Sequence, residues 1–251
     1  MSYIFDAAAV REDLIKWIRE WFEINGKDAK AVLGLSGGKD STIAASLCKA
    51  ALGADRVFGV LMPNGVQPDI EDSYELVESL GIPYAEINIS DSYLGIEKQL
   101  GKAGITMTKQ AQTNLPPRLR MSSLYAVSQS IGGRVANTCN LSETYVGWET
   151  RWGDQVGDFS PLGGLTVTEV IAIGRLCDDI PERLVVKAPS DGLTGRTDED
   201  NLGTRYAYID AVIRGCAEDV PQADLDRIAA LTAGSEFKRQ SISLPTFIPK
   251  L

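Results

Sequence analysis

One octapeptide, Gly34-Leu35-Ser36-Gly37-Gly38-Lys39-Asp40-Ser41, constrains the fold of this 251-residue chain more than any other stretch. It closes a short apolar run, residues 31–35, and opens residues 41–51, which have helical composition and stop before Gly53. A strand that enters a helix through a glycine pair puts the helix's unpaired N–H groups and positive dipole end at the loop. The glycines let that backbone approach an anion without side-chain obstruction. Ser36 and Ser41 add hydroxyl donors, and Asp40 adds a carboxylate able to hold magnesium against phosphate oxygens. The loop is not a Walker A motif, because aspartate follows Lys39 where serine or threonine should stand.

The flanking sequence repeats the strand–helix alternation. Residues 6–22 carry Val10, Leu14, Trp17, Ile18 and Trp21 at helical spacing behind Asp6, a candidate N-cap, which predicts a helix facing the core. Strands are expected over 56–62, 83–89 and 134–138. Helices are expected over 69–80, 118–131, 166–177, 205–214 and 221–231. Residues 90–117, ending in Asn114-Leu115-Pro116-Pro117, read as a less regular surface connection. The polar stretch 189–203, with three glycines, reads as a long loop and a candidate lid. Alternating elements with short connections predict a doubly wound parallel α/β sheet with flanking helices. A single domain over residues 1–251 is expected, with a helical N-terminal segment, 1–25, and a C-terminal tail, 235–251.

Composition removes whole mechanisms. There is no histidine, so Ser-His-Asp and Cys-His catalysis and histidine metal ligation are excluded. Cys48, Cys139, Cys177 and Cys216 are scattered without a CxxC pair, which argues for free thiols over zinc or disulfides. A formal charge of −9 disfavours a nucleic-acid partner. No apolar run approaches the roughly 20 residues of a membrane span, and residues 1–10 do not resemble a signal peptide. The expectation is a cytoplasmic protein without membrane partners.

The Ser-Gly-Gly-Lys-Asp-Ser run resembles the SGGxDS loop of the N-type ATP pyrophosphatases. Three further segments narrow the likeness to the NAD synthetases. Thr138 with Asn140-Leu141-Ser142-Glu143 is similar to that family's G-T-x-N-x-S-E. Gly153-Asp154 through Asp158-Phe159-Ser160-Pro161 is similar to its GDG…D-x-x-P. Ala188-Pro189-Ser190 followed by Thr197-Asp198-Glu199 is similar to its A-P-[ST]…Q-T-D-E run. Together these cover residues 31 to about 240.

The resemblance implies an adenine nucleotide alpha hydrolase-like fold and the amidation of deamido-NAD by ammonia with ATP. The nicotinate carboxylate would attack the α-phosphorus, giving an acyl-adenylate and pyrophosphate, and ammonia would then displace AMP. It implies that residues 34–41 (Gly34, Leu35, Ser36, Gly37, Gly38, Lys39, Asp40, Ser41) bind ATP phosphates, with Thr138 and Ser190 on the nucleotide. Asp40 and Glu143 would ligate Mg2+, and Arg118, Arg151, Asp158 and Lys238 would grip deamido-NAD. It also implies a homodimer. Nothing in the chain resembles a glutaminase, so free ammonia is the expected nitrogen donor.

Three positions depart from the family pattern: Val167 replaces a lysine that contacts ATP, Arg151 replaces a lysine, and Phe237 replaces a histidine. Lys187 and Arg196 are the nearby cations able to substitute for the first. Two other readings stay open at this point. One is a ligase of the same superfamily acting on another acceptor. The other is a nucleotide-binding sensor without catalysis.

Overall fold

The computed structural model describes residues 3–187, 197–239 and 247–249. Four strands, β1 (Lys30–Gly34), β2 (Val57–Leu61), β3 (Tyr84–Glu86) and β4 (Gly133–Val135), form one sheet in the order β3-β2-β1-β4. All pairings are parallel; Ala31 and Gly34 stand opposite Val57 and Val60, and Val32 opposite Val135. The chain moves outward from β1 to β3, then returns to place β4 on the other side of β1. That reversal makes a topological switch point at the carboxyl ends of β1 and β4, where open α/β sheets bind ligands.

Both faces of the sheet are covered, which explains the unbroken apolar runs. Ala31 and Leu33 of β1, with Val57 and Leu61 of β2, face one core together with Leu14, Ile18, Phe22, Ile43 and Leu47. Val32, Val60 and Val135 face the other, against Leu124, Met62 and Ile89. Successive strand residues point to opposite sides, so the two central strands β1 and β2 each supply both cores. The first core is roofed by α1 (Ala7–Asn25), α2 (Lys39–Leu52) and α3 (Ile70–Leu80). Asp6 caps α1 as expected, its carboxylate accepting from the Ala9 N–H at 3.0 Å. The apolar stripe of α1 lies inward: Val10, Leu14 and Ile18 are buried, and Trp21 stacks on Phe159.

The second face departs from the sequence reading. Residues 90–117 are not irregular: α4 (Ser90–Lys102) and α5 (Lys109–Ser130) are helices, and α5 runs through Pro116 and Pro117. Thr108 starts α5 by accepting from the Ala111 N–H at 3.2 Å. The prolines remove the donors that would reach the Gln112 and Thr113 carbonyls. Both those residues are exposed, so water can serve their carbonyls. In return Pro117 gives the loop after Thr150 a docking surface, since a Cβ on Gly153 would lie 2.9 Å from its Cβ.

Beyond β4 the chain is helical: α6 (Leu141–Val146), α7 (Val167–Gly174), α8 (Glu182–Val185), α9 (Asp198–Leu202), α10 (Tyr206–Ile213), α11 (Gln222–Gly234) and α12 (Glu236–Arg239). Val146, Val167, Leu202, Tyr206, Ile209 and Ile228 form a third apolar cluster here. The proposed long loop, 189–203, is therefore partly helix. Thr197 and Asp200 form a reciprocal capping box at the start of α9, a signature that the glycines upstream obscured. The rest of that stretch lies outside the described residues. Cys48, Cys139 and Cys177 are buried and Cys216 half-buried, all as free thiols. Among the described residues no helix is long and apolar enough to cross a membrane.

Candidate active site

The loop after β1 and the loop after β4 meet at the switch point. Leu35 anchors the first: its N–H donates to the Val60 carbonyl at 3.0 Å, and its side chain fills the space left by Gly59. The Ser41 hydroxyl closes the turn by donating to the Gly38 carbonyl at 3.1 Å, and Gly38 N–H donates to the Ser36 hydroxyl at 3.3 Å. Gly37 is required twice. Its φ is +71°, and a Cβ there would lie 2.6 Å from Asp72 Cβ on α3. Gly38 is the N-cap of α2, which presents the helix's free amides toward the loop.

Asp40, in the first turn of α2, accepts from Asn140 Nδ2 at 3.1 Å through Oδ1 and from Lys39 Nζ at 2.6 Å through Oδ2. Asn140 is also the N-cap of α6. Its Oδ1 accepts from the Glu143 N–H, and Glu143 Oε2 accepts from the Asn140 N–H, each at 3.0 Å. One asparagine thus orients both carboxylates assigned to magnesium. Burial and the adjacent Asp40 push the Glu143 carboxyl well above its ordinary range, against the pull of Lys39. Burial pulls the Lys39 ammonium down, but Asp40 and Glu143 outweigh it and hold it above its ordinary value. Asn140 and Asp198, which lies close to this cluster, were not among the candidate residues. The signal for Asn140 was present, because Asn-x-x-Glu ahead of an apolar residue is a capping-box pattern. Asp198 lay within the Thr197-Asp198-Glu199 run of the family likeness, but its nearness to Lys39, through the Tyr206 hydroxyl, arises only from the packing of the folded chain.

The other candidates fall into two groups. Thr138 stands half-buried in the β4–α6 connection, beside Asn140. Arg118 and Arg151 come together: Arg118 Nε donates to the Arg151 carbonyl at 3.1 Å, and the Arg151 guanidinium lies between the Trp152 and Phe237 rings, 5.3 and 5.8 Å from their centroids. Asp158 and Lys238 make internal bonds. Asp158 accepts from the Val135 N–H at 2.7 Å and from Tyr125 OH at 3.2 Å. Lys238 donates to the Gly147 and Glu149 carbonyls, both at 2.7 Å. Ser190 and Arg196 lie outside the described residues.

Val167 is a core residue. It is 5% exposed and packs with Val146, Leu202, Tyr206 and Ile209. Lys187, named as a possible substitute cation, donates to Asp72 at 2.6 Å and Asp69 at 3.0 Å. Because Asp72 also abuts Gly37, this pair braces α3 behind the glycine loop.

A parallel sheet with a glycine loop, a helix N-terminus and two tethered carboxylates at its switch point defines a nucleotide-binding α/β protein. The chain belongs to the NAD synthase family, which it matches over residues 10–242. It is 36% identical to the NH3-dependent NAD+ synthetase of Pyrococcus horikoshii, with 97% of this chain and 96% of that protein covered. Among solved structures it resembles NMN synthetase from Francisella tularensis, with TM-score 0.85, 33% identity, and 97% and 100% of the two chains covered. It also resembles the NH3-dependent NAD synthetase of Campylobacter jejuni, with TM-score 0.77, 28% identity, and 96% and 99% covered. The family is one of ligases that use ATP, and the chain is a ligase of that kind.

Proposed function

We propose that the chain amidates deamido-NAD with ammonia, converting ATP to AMP and pyrophosphate. The observation that carries this reading is the Asn140 bridge, which brings the Ser36–Gly37–Gly38 loop, Asp40 and Glu143 to one place. Residues 34–41 would hold the phosphates, with loop amides placed where charge grows as pyrophosphate leaves. Thr138 and Ser190 would contact the nucleotide. Arg118 and Arg151 suit an acceptor carrying phosphates and a carboxylate, because guanidinium forks bind paired oxygens. Asp158 and Lys238 would complete the acceptor's wall, the first fixing β4 and the second fixing the loop after α6.

Asp40 and Glu143 fit magnesium. Among the described residues no group of three or more His, Cys, Asp or Glu forms a metal cage. Magnesium needs none, since one or two carboxylates hold it together with substrate phosphates. Bound there, it would offset charge on the phosphate oxygens. The reactive acyl-adenylate requires protection from water.

A homodimer is part of the same proposal. No residue of α4 is buried, Leu94, Ile96 and Ile105 are exposed, and Ile96 and Leu100 form an apolar surface together with Leu119 of α5. A second copy would cover this apolar face. A cytoplasmic setting, where ATP is supplied, accompanies the reading.

The Francisella likeness supports a second acceptor, nicotinate mononucleotide. Pyrophosphate release from ATP, magnesium and ammonium is measured with each acceptor in turn. Faster turnover of the dinucleotide is expected. Preference for the mononucleotide moves the chain to the second reading, and silence with both leaves a nucleotide-binding sensor.

A further inference from the structure

Lys39 belongs to the phosphate loop in sequence, yet its side chain is turned away from solvent. It is 2% exposed, although lysine is among the residues least often buried. Its ammonium lies 2.6 Å from Asp40 Oδ2 and 5.7 Å from the centroid of the Tyr206 ring. Glu143 and Asp198 are the other carboxylates whose charges reach it. Asp198 is itself 5% exposed and accepts from Tyr206 OH at 3.3 Å. Asp40 thus pairs with the lysine directly, Asn140 ties Glu143 to Asp40, and the Tyr206 ring against the ammonium carries Asp198 on its hydroxyl.

Asp40 and Glu143 are half-buried and Asp198 is buried, so their charges, partly removed from water, repel each other and favour a cation among them. A lysine poised for phosphate would hold its ammonium toward the loop's open side as a point charge. We propose that Lys39 is instead the internal counter-ion of the magnesium site, a positioning residue that holds Asp40, Glu143 and Asp198 together without nucleotide. The proposal rests on Asp40 and Glu143 being the magnesium ligands of the function above. It has a consequence for the order of binding. A free divalent cation approaching Asp40 meets an ammonium already in place and is repelled by it. A cation arriving with ATP brings phosphate oxygens that can accept both positive charges. Lys39 therefore makes the site selective for the metal–nucleotide complex over the bare ion.

The test uses the full chain without acceptor and Mn2+ as the probe, its free concentration followed by electron paramagnetic resonance. Wild type should bind Mn2+ weakly alone and tightly with a non-hydrolysable ATP analogue. Lys39→Gln should bind Mn2+ alone about tenfold tighter or more, and Mn2+ should raise its unfolding temperature while leaving wild type unmoved. Lys39→Arg, which keeps the charge, should follow wild type. Equal Mn2+ affinity in wild type and Lys39→Gln overturns the proposal. Should Lys39→Gln not fold, the wild-type arm decides: tight Mn2+ binding without nucleotide overturns it, and binding only with the analogue supports it. Wild-type amidation is assayed in parallel, so loss of the counter-ion role with intact amidation is distinguished from loss of the functional reading.

Discussion

Asn140 Nδ2 donates to Asp40 Oδ1 at 3.1 Å, joining two loops whose residues stand 100 positions apart in the chain. The same side chain caps α6 through the Glu143 N–H. Asn140→Ala should therefore cost more in rate than in stability. Losing an N-cap costs about 0.5–2 kcal/mol. Releasing both carboxylates should lower kcat by about a hundredfold, as misplacement near reacting groups does. Chemical unfolding beside steady-state kinetics separates the two effects; a rate that falls only as far as stability does would reduce Asn140 to a cap.

Asp40→Asn should nearly abolish pyrophosphate release, and should also lower the unfolding midpoint because it leaves the buried Lys39 ammonium without its nearest partner. Glu143→Gln should be slow as well, with part of the defect relieved by raised magnesium. Full activity of Asp40→Asn would remove it from the metal site.

Val167→Lys distinguishes a vacant phosphate contact from a packing position. The side chain is 5% exposed within an apolar cluster. Burying an amine there should cost about 1–3 kcal/mol and lower the unfolding midpoint, with kinetic constants for ATP unimproved. A lower KM for ATP at unchanged stability would contradict the packing assignment.

These contrasts show which parts of the molecule local sequence could reveal. The strand, glycine loop and helix around residues 30–52 were legible because period, glycine pair and cap agreed at each step. The second half of α5 was legible as the helix expected over 118–131, but its first half, residues 109–117, was not, because Pro116 and Pro117 are local stop signals that tertiary contact with Gly153 overrides. Asp40 was legible from its place in the phosphate loop, whereas Glu143 was nameable only through family likeness, since a lone carboxylate carries no spacing signal. The inward turn of Lys39 and the nearness of Asp198 depend on α9 and α10 packing beside α6, which no short window of residues encodes. Val167 read as a lost charge in the motif and is a filled core position in the fold.

Glu169 offers a test of electrostatics away from the site. It is 2% exposed, accepts from Arg214 Nε at 2.7 Å and Nη2 at 2.6 Å, and accepts from Tyr3 OH. Burial pushes its carboxyl up, but Arg214, Tyr3 and the Thr166 N–H outweigh this and hold it below the usual range. A depressed carboxyl stabilises the fold above its unfolded value and loses that contribution as pH falls through the folded one. Glu169→Gln should thus cost about 3 kcal/mol near neutral pH, the scale of breaking a buried pair. The gap from wild type should narrow as the pH falls below the usual glutamate range. Denaturant midpoints across pH measure it; a gap that widens in acid would reverse the sign of the interaction.

The central claim is that ATP activates the acceptor's carboxylate as an adenylate before ammonia attacks. Deamido-NAD labelled with 18O in its nicotinate carboxylate tests it directly, with ATP, magnesium and ammonium present and the products read by mass spectrometry. The account predicts one labelled oxygen in AMP for each amide formed and none in pyrophosphate. Label in pyrophosphate or phosphate, or amide formation with unlabelled AMP, would contradict it.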